Sequence, residues 1–531
     1  MSGKTELATP GRTRRSLSWC IQTTALVLAV VAIAIITFVI YHAEPILEGR
    51  VMETLSTRFR GHVELSTFHV SIAHGFQVTG AGLKIFGPED PNAHQPGIQP
   101  VIAIEEFRFA ADILNLLHTP MRIHRVYLKG LELNIPPSEH RQQQSGFKVG
   151  KIKIYVDEFV SEEARLVINT LRPGKLPIEF DISNLQMKEI GPSQPLLFDA
   201  TLVNPKPVGA IHSTGLFGPW QADDPRSSPV RGKYSFRDAD LSTIKGIAGI
   251  LSSTGEYAGT LGNIVVDGET DTPDFRIAIS GHPVPLHTDF HAIVDGTSGD
   301  TYLEPVRATF LHSSLIAKGS VLRVQNPNGH GVILDVAVGP ARIDDLLKLG
   351  VRTDPPVMTG TAELKTKFDL SPGEAEVSDR IRLAGIFHIS GAHFTNEKVQ
   401  AKVDALSMRS QGKPKQAKDD VPDNVLSEMN GTFKLSEGLL SFSRLHFEVP
   451  GTRVDMTGKY TLDGNQFDFH GKARMNAKLS HMVTGWKSVV LKPVDPFFSK
   501  HGAGTEVPVK VTGTKSEPHV GLDFRHKAEN E

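Results

Sequence analysis

The residues best spaced for chemistry are His282-Pro-Val-Pro-Leu-His287-Thr-Asp289-Phe-His291, in a chain with 22 histidines. On a strand, His287, Asp289 and His291 project from one face, and a His/Asp/His set is chemically competent to bind zinc. Alternate residues of one strand lie about 6.5 Å apart, too wide for three ligands around one ion without a bulge. Solvated face residues explain the pattern better, and no metal is expected. No serine occupies a nucleophile elbow, and no glycine-rich loop opens a helix after a strand. Gly296-Thr-Ser-Gly299 reads as a turn, because no helix follows whose N-terminus could hold an anion. Asp344-Asp345 and Asp419-Asp420 fall on a helix and in a loop with nothing converging on them. The sole cysteine, Cys20, precedes an apolar run, so thiolate chemistry is excluded downstream of it. Neither a catalytic residue nor a cofactor is expected, and the chain does not read as an enzyme.

The elements that carry these residues are mostly strands. Glycines (48) and prolines (34) supply turns throughout, and phenylalanine (27) outnumbers tyrosine (7) and tryptophan (3), a mix that favours sheets over helices. Apolar and polar residues alternate at Val63/Leu65, Phe68/Val70/Ile72, Ile102/Ile104, Phe107/Phe109 and 123–135. The alternation is cleanest near the C-terminus, in Phe433/Leu435, Leu440/Phe442, Leu445/Phe447/Val449, Val454/Met456, Tyr460/Leu462 and Phe467/Phe469. Glu437-Gly438 and Asp463-Gly464 mark the hairpin turns. Helices are expected over 45–59, 111–117, 240–251, 343–349 and 479–490, each from apolar residues at helical spacing. Loops rich in Pro, Gly and charge are expected at 87–100, 136–146, 219–232 and 411–423. A formal charge of -2 argues against nucleic acid as a partner.

Residues 19–41 form one apolar run of about 33 Å as a helix, enough to span a bilayer. Trp19 and Tyr41 stand at its ends, with Leu26, Val27, Leu28, Ile33, Ile36 and Phe38 between them. Lys4, Arg12, Arg14 and Arg15 precede it, which keeps residues 1–18 in the cytoplasm and exports the rest. A cleaved signal peptide fits poorly, since bulky Tyr41 sits at the only available cut. A lipoprotein signal would need its cysteine after the run. A buried core helix lacks a second apolar helix to pack on.

This order of parts resembles the AsmA family of bacterial envelope proteins, relatives of the TamB-type bridges. The resemblance rests on the single anchor, the amphipathic helix, the Val63-Glu-Leu65 strand and the closing Val507-Pro-Val-Lys-Val-Thr-Gly-Thr-Lys-Ser-Glu-Pro518-His-Val. Thr254-Gly-Glu-Tyr-Ala-Gly-Thr-Leu-Gly262 and Asp295-Gly-Thr-Ser-Gly-Asp-Thr-Tyr-Leu303 look like the family's middle region. The N-terminal match covers roughly 17–135 and the C-terminal one roughly 360–525. The resemblance implies a mainly β fold, in which one transmembrane helix precedes an elongated antiparallel β-groove with a few short helices. It divides the exported chain into an opening at 42–135, a middle region at 136–355 and a C-terminal meander at 356–531.

The implied protein is a single-pass component of the bacterial inner membrane, with its bulk in the periplasm, acting in phospholipid transport or lipid homeostasis. Its partners are membrane lipids, whose acyl chains would lie on Phe433, Leu435, Leu445, Phe447, Val449, Phe467 and Phe469. Exposing about 28 methylenes of a two-chain lipid to water costs roughly 22 kcal/mol, and a shielded apolar strip removes most of that barrier without a catalytic group. An envelope assembly factor or scaffold for outer-membrane biogenesis, binding protein partners through strand edges, is the alternative. The same alternation also suits a closed β-sandwich.

Overall fold

The computed structural model describes residues 61–71, 76–86, 100–111, 121–135, 154–168, 178–191, 193–221, 224–278, 280–324, 329–352, 354–373, 375–415, 424–462, 466–484, 504–514 and 517–523, with isolated residues between 30 and 57 and at 492. The protein is mainly β, with few helices. It divides into two units, residues 1–196 and 197–531.

In the first unit, β1 (Val63–Glu64) and β2 (Thr67–Ser71) both pair antiparallel with β3 (Phe76–Ile85). The sheet continues through β4 (Ile102–Ala111), β5 (Met121–Ile135), β6 (Ile154–Ile168) and β7 (Ile178–Ile190). Alternate residues Val63, Phe68, Val78, Leu83, Ile85, Phe107 and Leu128 close into a buried core, against which Leu55 packs. Every described residue from 44 to 57 is helical, as the spacing over 45–59 predicts. β5 and β6 run parallel, which departs from the expected wholly antiparallel sheet. Residues 136–153 separate them, a connection long enough for the return that parallel strands require.

In the second unit, β8 (Leu196–Pro205), β9 (Val208–Phe217), β10 (Pro229–Asp240), β11 (Ile247–Ala248), β12 (Ile250–Thr260), β13 (Asn263–Ile277), β14 (Val284–Val294) and β15 (Thr301–Phe310) come first. β16 (Ser313–Val324), β17 (Gly329–Arg342), β18 (Met358–Leu370), β19 (Ile381–Phe394) and β20 (Ser427–Ser436) follow. β21 (Leu439–Val449), β22 (Thr452–Thr461), β23 (Gln466–Met475), β24 (Thr505–Thr514) and β25 (Pro518–Leu522) complete the chain. From β9 to β25 the strands pair antiparallel in chain order, except that short β11 pairs with β13 while β10 pairs directly with β12. Glu437 and Gly438 both take positive φ (53° and 70°), the geometry of the tight hairpin expected at this dipeptide.

Among the described residues of this unit three α-helices interrupt the strands: α1 (Ile343–Gly350), α2 (Val377–Arg380) and α3 (Glu397–Ser410). The first is the helix expected over 343–349. α3 buries polar residues, because it lies on strand ends whose backbone groups need partners. Gln400 accepts from the Phe394 N–H (2.9 Å) and donates to the Val425 carbonyl (2.9 Å), while Asp404 accepts from the Val425 N–H (3.0 Å). Ser407 donates to the Pro450 carbonyl at 2.8 Å, and Ser410 pairs with Thr452 at 2.5 Å.

Two expected helices are corrected. Residues 240–251 form the end of β10, one turn of 3-10 helix at Leu241–Thr243, and the starts of β11 and β12. Asp240 caps the Ser242 N–H at 2.8 Å, and Gly246 and Gly249 then take φ of 100° and 132°, which no helix continues through. At 479–490 the described part is a single turn, Leu479–Met482, because Val483 is extended (φ -124°, ψ 161°); residues 485–490 lie outside the described residues. The expected loop at 219–232 yields its last four residues to β10. Ala111 ends β4 rather than opening a helix, and 112–117 lie outside the described residues, as do the loops at 87–99 and 136–146 and the Asp463-Gly464 turn. Trp19, Leu26, Val27, Leu28, Ile33, Ile36, Phe38 and Tyr41 also lie outside them. Among the described residues no helix is long and apolar enough to cross a membrane.

Candidate functional site

Cross-strand register decides which side chains share a face, since directly opposed residues point the same way. One row in the second unit runs Phe290, Val306, Ala317, Val336, Thr366, Gly385, Phe433, Phe442, Gly458, Phe469 and Val511, each opposite the next. Parallel rows place Leu435, Leu440, Tyr460 and Phe467 on one side of it, and Gly431, Leu445, Met456 and Gly471 on the other. Phe447 and Val449 follow on the same face, opposite Val454 and Thr452. All seven predicted groove residues therefore share one face. From β9 to β25 the described strand positions on this face carry no Asp, Glu or Lys, and their only Arg and His are the directly opposed, exposed Arg323 and His330, at the margin of β16 and β17 away from α1.

Several strands keep this face only by a bulge. Their register shifts at Phe236/Ala239, Thr272/Phe275, Leu303/Val306, Val338/Ala341, Ile389/Ala392 and Phe442/Leu445. Each extra residue lets a spacing of three return the chain to the same side. Glycines in the rows make room for rings. A Cβ at Gly431 would stand 2.9 Å from the Phe387 ring, and one at Gly268 would stand 2.8 Å from Phe290 Cζ. Phe387 stacks edge-on against Phe442 at 6.1 Å between centroids, and Phe442 meets Phe469 at 5.8 Å.

Burial along the face is uneven. At one end of the strands Val284, Phe310, Ala392 and Val449 are fully buried (0–2% exposed), as are Thr272 and Ser427, and Thr452 is buried beside them. α1 and α3 close this end: Asp345 accepts from the His312 N–H (3.0 Å) and the Ser313 hydroxyl (2.8 Å). Leu406 and Met482 pack over Val454, Met475 and Val507. Away from that end Phe290, Leu334, Phe368, Leu383, Phe387, Phe433, Phe442, Met456, Phe467, Val509 and Val511 stay half-buried. A closed sandwich buries the corresponding residues under a second sheet. Away from the closed end this face is apolar and only partly covered: of the predicted groove residues Phe433, Phe447 and Phe467 are half-buried, while Leu435, Leu445 and Phe469 are buried beside them. Sequence alternation finds Leu445, Phe447 and Phe469; it misses the β9–β19 part of the face, where bulges and glycines break the period of two.

The opposite face is charged, and its ions pair across strands. Arg453 meets Glu448 (3.2 Å), Arg474 meets Glu506 (3.0 Å), and His446 lies between Asp455 (2.7 Å) and Glu448 (3.2 Å). Hydrogen bonds from Arg453 and His446 hold Glu448 below the ordinary carboxylate value. His287, Asp289 and His291 do not converge as a trio. His291 pairs with Asp267 at 2.7 Å, while Glu269 of the adjacent strand joins His287 and Asp289, the three offering ligand atoms within 4.8 Å of one another. His287 is also held by Asp271 at 2.7 Å. With alternating histidines and carboxylates, this corner continues the ion-pair pattern of the outer face.

His470 is the most sheltered link to the last strand. Its Nδ1 lies 2.6 Å from buried Asp523, which raises the imidazole above its ordinary value against opposing desolvation; Asp468 adds to the rise. A raised histidine stabilises the fold fully below the unfolded value of about 6.5, and loses that contribution as pH climbs through the folded value. Amide exchange in β24 and β25 is therefore expected to accelerate between about pH 6 and 8 in the wild type, beyond the intrinsic rate, and to lose that excess in His470→Gln. The effect stays below about 1 kcal/mol because solvent screens the pair. An equal pH response in both proteins would rule the link out.

Comparison with protein-family models, with curated proteins and with solved structures finds no match to this chain.

Proposed function

We propose that the second unit carries hydrocarbon chains on its apolar face, without catalysis, in a protein of AsmA type. In this reading residues 19–41 anchor the chain in the bacterial inner membrane, and the periplasmic sheet serves phospholipid transport or lipid homeostasis between the membranes. One observation carries it: among the described residues the central rows of the face are free of charge from β9 to β25, with Arg323 and His330 confined to one margin, yet many of their apolar residues are only half-buried. An apolar face of that extent is costly against water, at about 25 cal/mol per Å², and surfaces of this kind mark binding sites. Measured along its hydrogen bonds, the run of strands gives a sheet on the order of 70 Å wide. A closed face would resist a passing chain, whereas an open one admits it from the side. No charged group lies in the central rows to hold a phosphate, so a headgroup would remain at the open margin, where Arg323 and His330 stand.

Mass spectrometry of lipids extracted from the full chain, purified from membranes in a mild detergent, tests this. Stoichiometric two-chain lipid is expected. A lipid-free preparation that retains a co-purifying protein over the same face would favour the scaffold reading instead.

A further inference from the structure

The apolar face changes character along its length. Between β9 and β14 it carries seven hydroxyls: Ser213, Tyr234, Ser253, Tyr257, Thr270 and Thr288, with Thr272 fully buried at the closed end. From β15 to β24 the central rows are hydrocarbon apart from Thr366 and Tyr460. The two tyrosine rings lie flat across neighbouring strands. A Cβ at Gly268 would stand 2.7 Å from Tyr234 Oη, and one at Gly232 would stand 2.7 Å from Tyr257 Oη, so glycine is what lets the rings lie down.

The donors in this patch are already committed. Ser213 gives its proton to the Lys233 carbonyl (3.1 Å) and Ser253 gives its proton to the Glu269 carbonyl (2.8 Å). Tyr257 must then donate to Ser213 (2.7 Å), and Tyr234 to Ser253 (3.1 Å). A hydroxyl has one proton and two lone pairs, so both phenol oxygens are left to accept. Thr270 and Thr288 share one bond at 2.5 Å, which leaves one proton between them to give. Burial pushes both phenols above their ordinary pKa, and they stay neutral. A patch of neutral acceptors beside one donor suits an uncharged group that itself donates, such as an alcohol or an amide N–H. It offers nothing to a phosphate.

We propose that this patch is a subsite for the polar end of an uncharged amphiphile bearing a free hydroxyl, whose hydrocarbon tail extends onto β15–β24. The proposal rests on the reading that the face carries hydrocarbon. It adds a ligand class and a direction: head toward β9, tail toward β24.

The test compares binding of radiolabelled 1-oleoylglycerol and 1-octadecene to the detergent-purified full chain. The wild type is set against the fourfold variant Ser213→Ala, Tyr234→Phe, Ser253→Ala, Tyr257→Phe. Removing both partners of each hydrogen bond leaves no orphan and keeps the rings, so the sheet should remain folded, as its circular dichroism would report. Affinity for 1-oleoylglycerol is expected to fall about five- to tenfold while that for 1-octadecene is unchanged, the effect of one or two neutral hydrogen bonds. An unchanged 1-oleoylglycerol affinity, or an equal loss for both probes, would overturn the subsite. If the wild type binds neither probe, the hydrocarbon reading itself fails. A diazirine at the acyl terminus of 1-oleoylglycerol should crosslink to β15–β24, and crosslinks confined to β9–β14 would overturn the direction.

Discussion

Phe433→Asp is expected to leave the second unit folded and to strip it of bound hydrocarbon. Phe433 stands mid-face, half-buried, with Gly385 on one side and Phe442 on the other. Its ring meets Phe387 at 6.3 Å between centroids. In a closed core an unpaired carboxylate there would be too costly to bury, and the unit would unfold. On an open face the carboxylate remains hydrated, so the main loss is contact with the ligand. Withdrawing one phenylalanine from an apolar contact is worth about 1.5–3 kcal/mol, or roughly ten- to a hundredfold in affinity. Lipid per folded molecule, measured by mass spectrometry beside a circular-dichroism melt, should fall at least about tenfold with the melt nearly unmoved. Phe433→Leu should retain most of the lipid. Unfolding of Phe433→Asp would return the sandwich to first place.

Phe310→Ala is expected to do the reverse. Phe310 is 2% exposed at the closed end, opposite Leu286 and Ser313 and beside the turn that Asp345 pins. Deleting a fully buried ring forfeits its transfer energy and leaves a cavity, about 3–5 kcal/mol together. The urea midpoint should drop accordingly, with the slope unchanged if the native state is otherwise intact. Lipid carried by the molecules that remain folded should be unaffected. A loss below about 1 kcal/mol would mean that this end is not closed.

The C-terminal strands were legible because Leu445, Phe447 and Val449 alternate without interruption, and Glu437-Gly438 is a turn by chemistry alone. α1 was legible from its apolar spacing. The segment 240–251 was not, since Ile244, Ile247, Ala248 and Leu251 mimic a helical face while Gly246 and Gly249 supply the positive φ that prevents one. α3 escaped notice for the opposite reason. Its buried positions Gln400, Asp404 and Ser407 are polar, and only the strand ends beneath them explain why. The bulges left a trace that alternation alone overlooks: apolar residues three apart inside a strand, as in Val338/Ala341 and Ile389/Ala392, keep one face when an extra residue is inserted.

The sequence by itself determined that this chain is built of strands with one apolar side, because side-chain direction alternates with a period of two whatever the strand packs against. It also determined which residues are charged, and hence that a face with its central rows free of charge could exist. Only the tertiary structure decided that the face is continuous from β9 to β25, since register is set by pairing between strands distant from any one local pattern. Tertiary structure alone also decided that α1 and α3 close one end while the middle stays open, because burial depends on what lies above a strand. The histidines that first suggested a metal were sorted in the same way: cross-strand register gave His291 to Asp267 and brought Glu269 to His287 and Asp289.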